Sequence, residues 1–277
     1  MLTRAAIDFG ITNTDAVAET GSGRRFWTRP SRGEPTPELV VEILTEGGLK
    51  LEDLRQLAVT GGRHRHLPPW IGDCEIVSVG EIPAIGRGGQ MAAVEAGLNA
   101  DDRLLVVSAG SGTAAVFAHG DLYQHVSGSG VGGGTLLGLS RLLLHTVDPA
   151  EIDALALAGD PNGADLALSD VVSGPIGSLP PDATAVNFGR VGKYDIPVSR
   201  NDLAAALVTL VGQVIGVTAI NAARARQAEH IIVIGHLLDM PSLRRVLERV
   251  GEFYGVVLTP APNPGYATAI GALQHLA

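Results

Sequence analysis

Two short stretches of this chain place glycine and hydroxyl side chains directly after an apolar run. Ile7-Asp8-Phe9-Gly10-Ile11-Thr12-Asn13-Thr14-Asp15 follows Arg4-Ala5-Ala6, and Ser108-Ala109-Gly110-Ser111-Gly112-Thr113 follows Leu104-Leu105-Val106-Val107. Glycine lets backbone N–H groups approach phosphate oxygens, and Ser/Thr hydroxyls add further donors. Two such turns suit two jaws closing on one phosphate chain. Gly10, Thr12, Asn13 and Thr14 would form one jaw, and Gly110, Ser111, Gly112 and Thr113 the other. Asp8 ends the first apolar run, where it is placed to hold Mg²⁺, an ion that prefers carboxylate and phosphate oxygens. A third glycine run, Gly132-Gly133-Gly134, opens a helical stretch whose N-terminus either faces the nucleotide or packs closely on neighbouring backbone.

The elements that must position these residues read as strand, turn, strand and helix, twice over. Residues 2–9 and 12–19 form an antiparallel pair, with the chain turning again at Gly21–Gly23. Residues 37–44 read as a helix begun after Pro35-Thr36 and ended by Gly47-Gly48. Short buried strands follow at 57–60 and 75–79, then a helix over 82–96 that carries Gly86, Gly88 and Gly89. In the second half, strands at 104–107, 113–118 and 122–126 surround the Gly120-Asp121 hairpin. A helix covers 135–145, a long apolar one 201–226, then strand 231–234, helix 244–254, strand 256–258 and a terminal helix over 265–276. Pro161-Asn162-Gly163 and Pro180-Pro181 read as surface loops. The pattern predicts a pseudo-duplicated α/β protein with a cleft between its halves, divided near Ala96–Ala100 into residues 1–97 and 98–277.

Composition narrows the function classes. A chain of 277 residues with 45% hydrophobic and 18% charged residues can bury an ample core. The net charge of -9 argues against general nucleic-acid binding, which needs a basic face. Arg63-His64-Arg65-His66 is a local basic patch, either a solvated turn or a contact to a substrate phosphate. No basic, apolar and small-residue leader pattern opens the chain. No stretch is expected to reach the roughly 20 apolar residues that span a bilayer. The single cysteine, Cys74, cannot close an intrachain disulfide, which suits the cytoplasm, and no base stands beside it in sequence. No spacing of Cys and His indicates zinc.

These residues resemble the acetate/sugar kinase, Hsp70 and actin superfamily, and within it the type II (fumble-like) pantothenate kinases. Asp8-Phe9-Gly10-Ile11-Thr12 is similar to that family's first phosphate loop and Thr60-Gly61-Gly62 to its Thr-Gly-Gly turn. Gly110-Ser111-Gly112-Thr113 is similar to its second phosphate loop. The run from Gly130 through Leu139 is similar to its glycine-rich segment and following helix. Ser169-Asp170-Val171-Val172, Phe188-Gly189, Gly235 and Asn263-Pro264-Gly265 match in place. The resemblance implies duplicated ribonuclease H-like (actin-like ATPase) domains with an interdomain nucleotide cleft, and an ATP- and Mg²⁺-dependent kinase acting in coenzyme A biosynthesis. Glu81 takes the place of the catalytic carboxylate, accepting or orienting the proton of a primary alcohol; read alone, it is a helix-start carboxylate. Gly235 takes the place of an adenosine contact, with His236 beside it. Arg87 would pair with the carboxylate of pantothenate or stand exposed on its helix. The resemblance also implies a homodimer, with the long apolar helix in the core or at the interface.

Two positions depart from the family. Lysine is usual where this chain has Asp15, and arginine is usual where it has His125. His125 is therefore the residue expected to alter substrate choice. Asp15 is open to three readings: a second metal ligand, a group orienting Thr12, or a structural carboxylate. Thr14-Asp15 resembles instead the Thr-Asp of hydantoinase/oxoprolinase-type proteins. The alternatives to a kinase are accordingly an ATPase of the same fold that activates a carbonyl, or a degenerate homologue that binds nucleotide or acyl-CoA without turnover.

Overall fold

Alternating and continuous apolar runs divide the strands into two sheets. The computed structural model describes residues 3–21, 23–99, 101–174 and 179–276; Leu2 of the expected first strand, Ser22 of the expected turn and Ala100 of the expected boundary lie outside them. Strand β1 (Arg4–Phe9) buries Ala5, Ala6 and Ile7 in succession, as a strand covered on both faces must. It pairs antiparallel with β2 (Asn13–Thr20), which pairs in turn with β3 (Gly23–Pro30). Helix α1 (Pro37–Glu46) follows, capped by the Thr36 hydroxyl accepting from the Leu39 amide. Strands β4 (Gln56–Gly61), β5 (Trp70–Ile71) and β6 (Cys74–Ser78) complete a sheet of order β3-β2-β1-β4-β6-β5, with β4 parallel to both β1 and β6. Helix α1 covers one face, setting Val40, Ile43 and Leu44 against Ile7, Leu57 and Val59. Helix α2 (Glu81–Glu95) leads away from this sheet.

The second sheet repeats the plan. Strands β7 (Leu104–Ala109), β8 (Thr113–His119) and β9 (Leu122–Ser129) form an antiparallel meander. The intervening chain forms α3 (Gly133–Leu143), α4 (Pro149–Ala158), β10 (Leu166–Ala167), α5 (Leu168–Val171), β11 (Thr184–Val186), α6 (Gly189–Lys193) and α7 (Arg200–Arg226). Then come β12 (His230–Ile234), α8 (Pro241–Tyr254), β13 (Leu258–Pro260) and α9 (Ala267–Leu273). The strand order β13-β12-β7-β8-β9 reproduces β6-β4-β1-β2-β3 of the first sheet: three antiparallel strands, then two parallel ones. Helix α7 lays Leu207, Val211 and Ile215 against Leu105 and Val107, with α8 packed outside it through Leu243 and Leu247. An 18-residue window of α7 has a mean hydropathy of 2.2, so one stretch does reach membrane-spanning length and apolarity, against expectation. Two thirds of that window is buried inside the fold, which makes α7 a core helix.

Two further corrections concern boundaries. The last strand starts two residues later than the spacing predicts, and the terminal helix is shorter, preceded by a tight turn at Pro264–Tyr266.

Helices α2 and α9 lie between the sheets and join them. Ala84 of α2 shares a cluster with Ala6, Ala58, Ala269 and Ile270, while Ile85 and Ala93 of the same helix pack on Leu104, Val106 and Ile232. The two helices touch through glycine: a side-chain carbon on Gly271 would overlap the Ala84 carbonyl, and one on Gly88 would overlap the Ala267 carbonyl. Filling such a crossing forces backbone shifts worth about 1–3 kcal/mol. Gly271→Leu should therefore lower the unfolding free energy obtained from urea titration by that amount. Gly138→Leu, at an exposed helical position with nothing within 4 Å, should not.

Candidate active site

The C-terminal end of β1 carries three polar residues in one row. In the register of the sheet, Asp8 faces Asp15 on β2 and Thr60 on β4. Gly61, at φ +92°, follows Thr60; a side chain there would press on the Phe9 backbone and on Asp8 Oδ1, so the turn needs glycine. The Thr60 hydroxyl is fully buried and has no partner among the described residues. His64 anchors this turn: its Nδ1–H donates to the Gly61 carbonyl at 2.5 Å, and its Nε2 lies 2.8 Å from Ser78 Oγ, three residues before Glu81. Nothing in the local sequence distinguishes His64 from the other basic residues of its patch.

The two glycine-and-hydroxyl turns meet. Thr12 Oγ1 and Ser111 Oγ are 2.7 Å apart, although 99 residues separate them in the chain. The first turn is braced from just beyond β3, where Ser31 donates to the Gly10 carbonyl at 2.7 Å and lies 2.9 Å from Thr14 Oγ1. Asn13 begins β2 opposite Pro30. The second is braced from α3: the amides of Gly133 and Gly134 donate to the carbonyls of Gly110 and Ser111 at 2.8 and 2.9 Å. The Gly132 amide bonds Thr135 Oγ1, and Thr113 Oγ1 donates to the Val131 carbonyl at 2.7 Å. The amides of Gly133 and Gly134 thus hold the loop, while that of Gly132 is taken by Thr135. By contrast, the amides of Ile11, Thr12, Ser111 and Gly112 donate to no acceptor among the described residues. Two unpartnered donor runs facing one another are what a phosphate chain requires.

Glu81 is the first residue of α2 and is exposed; its carboxylate has no hydrogen-bond partner among the described residues. Its negative charge reaches Asp8. Burial, then the charges of Asp15 and Glu81, push the Asp8 carboxyl up to about 8, with His236 pulling the other way. A half-buried carboxylate under the charge of two others invites a cation. Among the described residues no three His, Cys, Asp or Glu side chains form a metal cage. The donor set therefore fits Mg²⁺ held by one carboxylate, with waters and phosphate oxygens completing its shell.

The structure sets Arg87 apart from this group, while the His125 ring lies near Gly128, which packs on the Thr113 carbonyl of the second turn. Arg87 lies six residues along α2, about 9 Å in rise. There its guanidinium is 3.4 Å from Gln90 Oε1, which also accepts from the Tyr123 hydroxyl at 2.9 Å. Gln90 donates to Gly120 at the β8–β9 hairpin, the far end of β8 from Thr113. His125 is exposed on the edge strand β9. Cys74 is buried, and burial followed by Glu75 pushes its thiol up to about 11.

Gly235 ends β12 at φ +105°, where a side chain would run into Ala109. The next residue, His236, is one that the sequence alone left undistinguished. Its Nε2 lies 2.8 Å from Asp15 Oδ1 and its Nδ1 2.7 Å from Asp239 Oδ2. Burial alone would lower its pKa, but hydrogen bonds and charge from the two aspartates raise it to about 10. Tyr266 stands edge-on to the ring at 5.6 Å, and Gly265 leaves it room.

Two sheets of matching topology, with facing phosphate-type turns at their edges, define an actin-like ATPase fold of the kind found in ROK kinases. The chain superposes on the activator of the 2-hydroxyisocaproyl-CoA dehydratase from Clostridium difficile, solved with bound ADPNP. The TM-score is 0.63 at 15% identity, over 98% of this chain and 92% of that one. It superposes likewise on a ROK family glucokinase from Streptomyces griseus in complex with glucose and AMPPNP, with a TM-score of 0.60 at 14% identity over 98% of both chains. Residues 102–274 match the Fumble family model, and the chain belongs to that family. Similar sequences include type II pantothenate kinases of Bacillus cereus and Staphylococcus haemolyticus. The first is 28% identical over 224 residues, covering 80% of this chain and 82% of the relative. The second is 28% identical over 272 residues, covering 98% of each.

Proposed function

We propose that the protein is an ATP-dependent kinase that phosphorylates the primary hydroxyl of pantothenate or a closely related small molecule, a step of coenzyme A biosynthesis. The observation that carries this reading is the meeting of Thr12 and Ser111, with unpartnered amides on both turns and the unpartnered Glu81 carboxylate beside Asp8. Phosphoryl transfer needs in-line positioning and neutralisation of charge on the γ-phosphate more than it needs covalent chemistry. The amides of Ile11, Thr12, Ser111 and Gly112 and the two hydroxyls would hold the β- and γ-phosphates, and Gly235 would let the adenosine approach the backbone of β12. Asp8 would hold Mg²⁺, which when bound supplies charge neutralisation between the phosphates. Glu81 would take the hydroxyl proton of the acceptor or fix its direction of attack. Residues 1–97 and 98–277 form the proposed subdomains, with α9 returning to pack on the first.

A homodimer is supported by the apolar residues exposed at the end of α3 and after it, including Leu142, Leu143, Val147, Val191 and Ile196. A lone buried cysteine suits a cytoplasmic setting. The test is ADP release from Mg-ATP with and without pantothenate. Release that depends on pantothenate is the expected result. Hydrolysis indifferent to it would favour an ATPase of the same fold, and nucleotide binding without turnover would favour a degenerate homologue.

A further inference from the structure

The kinase reading gives no role to the bridge Asp15–His236–Asp239, yet this bridge links the two halves at the edge of the nucleotide cleft. Asp15 is on β2, three residues beyond Thr12, and its side chain is almost entirely buried; His236 follows the glycine that ends β12, 221 residues later. The ring is fixed on every side the structure describes. Both nitrogens meet carboxylates, Tyr266 covers an edge, and the Gly265 backbone is so close that any side chain there would collide with the imidazole.

The bridge also closes a circuit. Gly235 rests against the Ala109 backbone at the end of β7, and β7 runs directly into the second turn, whose Ser111 meets Thr12 of the first. From Thr12 three residues of β2 lead back to Asp15. Two cross-half hydrogen bonds of similar length, 2.7 and 2.8 Å, therefore set the separation of the donor runs, one directly and one through His236. The Thr12–Ser111 bond joins two hydroxyls that a phosphate would compete for. The Asp15–His236 bond involves neither of these hydroxyls and can persist when the site is filled.

We infer that Asp15 and His236 are positioning residues which, with Asp239, lock the two phosphate turns at the spacing that nucleotide binding needs, in the position where resembling sequences carry lysine. The groups facing the ring are Asp15 on β2, Asp239 on the same turn as His236, and Tyr266, with Asp8 the next carboxylate beyond Asp15.

This inference rests on the kinase reading for its ligand, so the test uses binding rather than turnover. Calorimetric titration of Mg-AMPPNP into the full chain would be compared for wild type, Asp15→Asn, His236→Gln and the double variant. Each single change removes a charge-assisted hydrogen bond, and about a tenfold rise in Kd is expected from each. The double variant should bind no worse than His236→Gln alone, because Asp15→Asn breaks a bond that His236→Gln has already removed. Multiplied effects, near a hundredfold, or no effect from either single change would overturn the inference. Asp15→Lys restores the family residue but sets two cations face to face, and should weaken binding as Asp15→Asn does. If His236→Gln does not fold, Asp15→Asn is compared with wild type alone, and an unchanged Kd overturns the inference. Failure of wild type to bind the nucleotide would instead reject the kinase reading.

Discussion

Glu81→Gln should slow phosphoryl transfer by about 10²–10⁴-fold while leaving nucleotide affinity unchanged, the span by which a positioned general base accelerates a reaction. The expectation comes from geometry. Glu81 begins α2 immediately after Gly80, so its backbone is fixed by the helix while its side chain stays exposed, and its carboxylate bonds nothing among the described residues. A carboxylate serving only the helix terminus would be worth a few tenths of a kcal/mol to about 1 kcal/mol of stability and nothing to catalysis. Steady-state kinetics on the purified variant separates the two roles: a fall in kcat with an unchanged thermal midpoint supports the first. Unchanged turnover removes Glu81 from the mechanism.

Asp8→Asn should cost about 10²–10³-fold in kcat, comparable to removing one charge-stabilising group from a transition state, and should abolish the gain in nucleotide affinity that Mg²⁺ confers on wild type. It should also make the metal-free protein more stable at neutral pH. The sign follows from the direction of the shift. A carboxyl raised from 3.8 to about 8 holds its proton more tightly in the folded state than in the unfolded one. Stability is then unimpaired below pH 4, is lost progressively as pH rises between 4 and 8, and stays reduced above 8. The neutral asparagine escapes that loss. Thermal melts in chelator across this range should show the variant gaining on wild type as pH rises and levelling off near pH 8. A variant less stable than wild type at pH 8 would mean that Asp8 is held ionised by groups other than those described.

How far the sequence could be read depended on whether the deciding contacts were local. The β1–β2 and β7–β8 hairpins were legible because each strand is a short apolar run broken by glycine, and the duplication followed from their recurrence. Strand β3 was not legible: Arg24, Arg25 and Arg29 interrupt its apolar residues, and it forms because Trp27 reaches the Ile43 carbonyl and Arg29 pairs with α1. Between 149 and 193 no helix or strand is legible, only loops at 161–163 and 180–181 and two stretches that match the family in place, although α4 carries a good start at Asp148-Pro149. Apolar and small residues on most sides of α4 hide its helical period.

At the site, Asp8 and the hydroxyl turns lie in local motifs, whereas the partners of Asp15 and of Glu81's helix do not. Asp15 could not be assigned from sequence because its partner is 221 residues away. The packing of α9 on the first sheet is equally non-local, depending on glycines in α2 and α9 that singly look like weaknesses in a helix.

The central claim is that the facing turns, Asp8 and Glu81 together transfer a phosphoryl group to an alcohol. The most direct measurement supplies ATP labelled at the γ-phosphate with Mg²⁺ and pantothenate, and follows the label by mass and chromatography. The account predicts one labelled phosphate on the primary hydroxyl of pantothenate for each ADP formed, and none from Glu81→Gln on the same timescale. Label released as inorganic phosphate at one rate, with or without pantothenate, would contradict it.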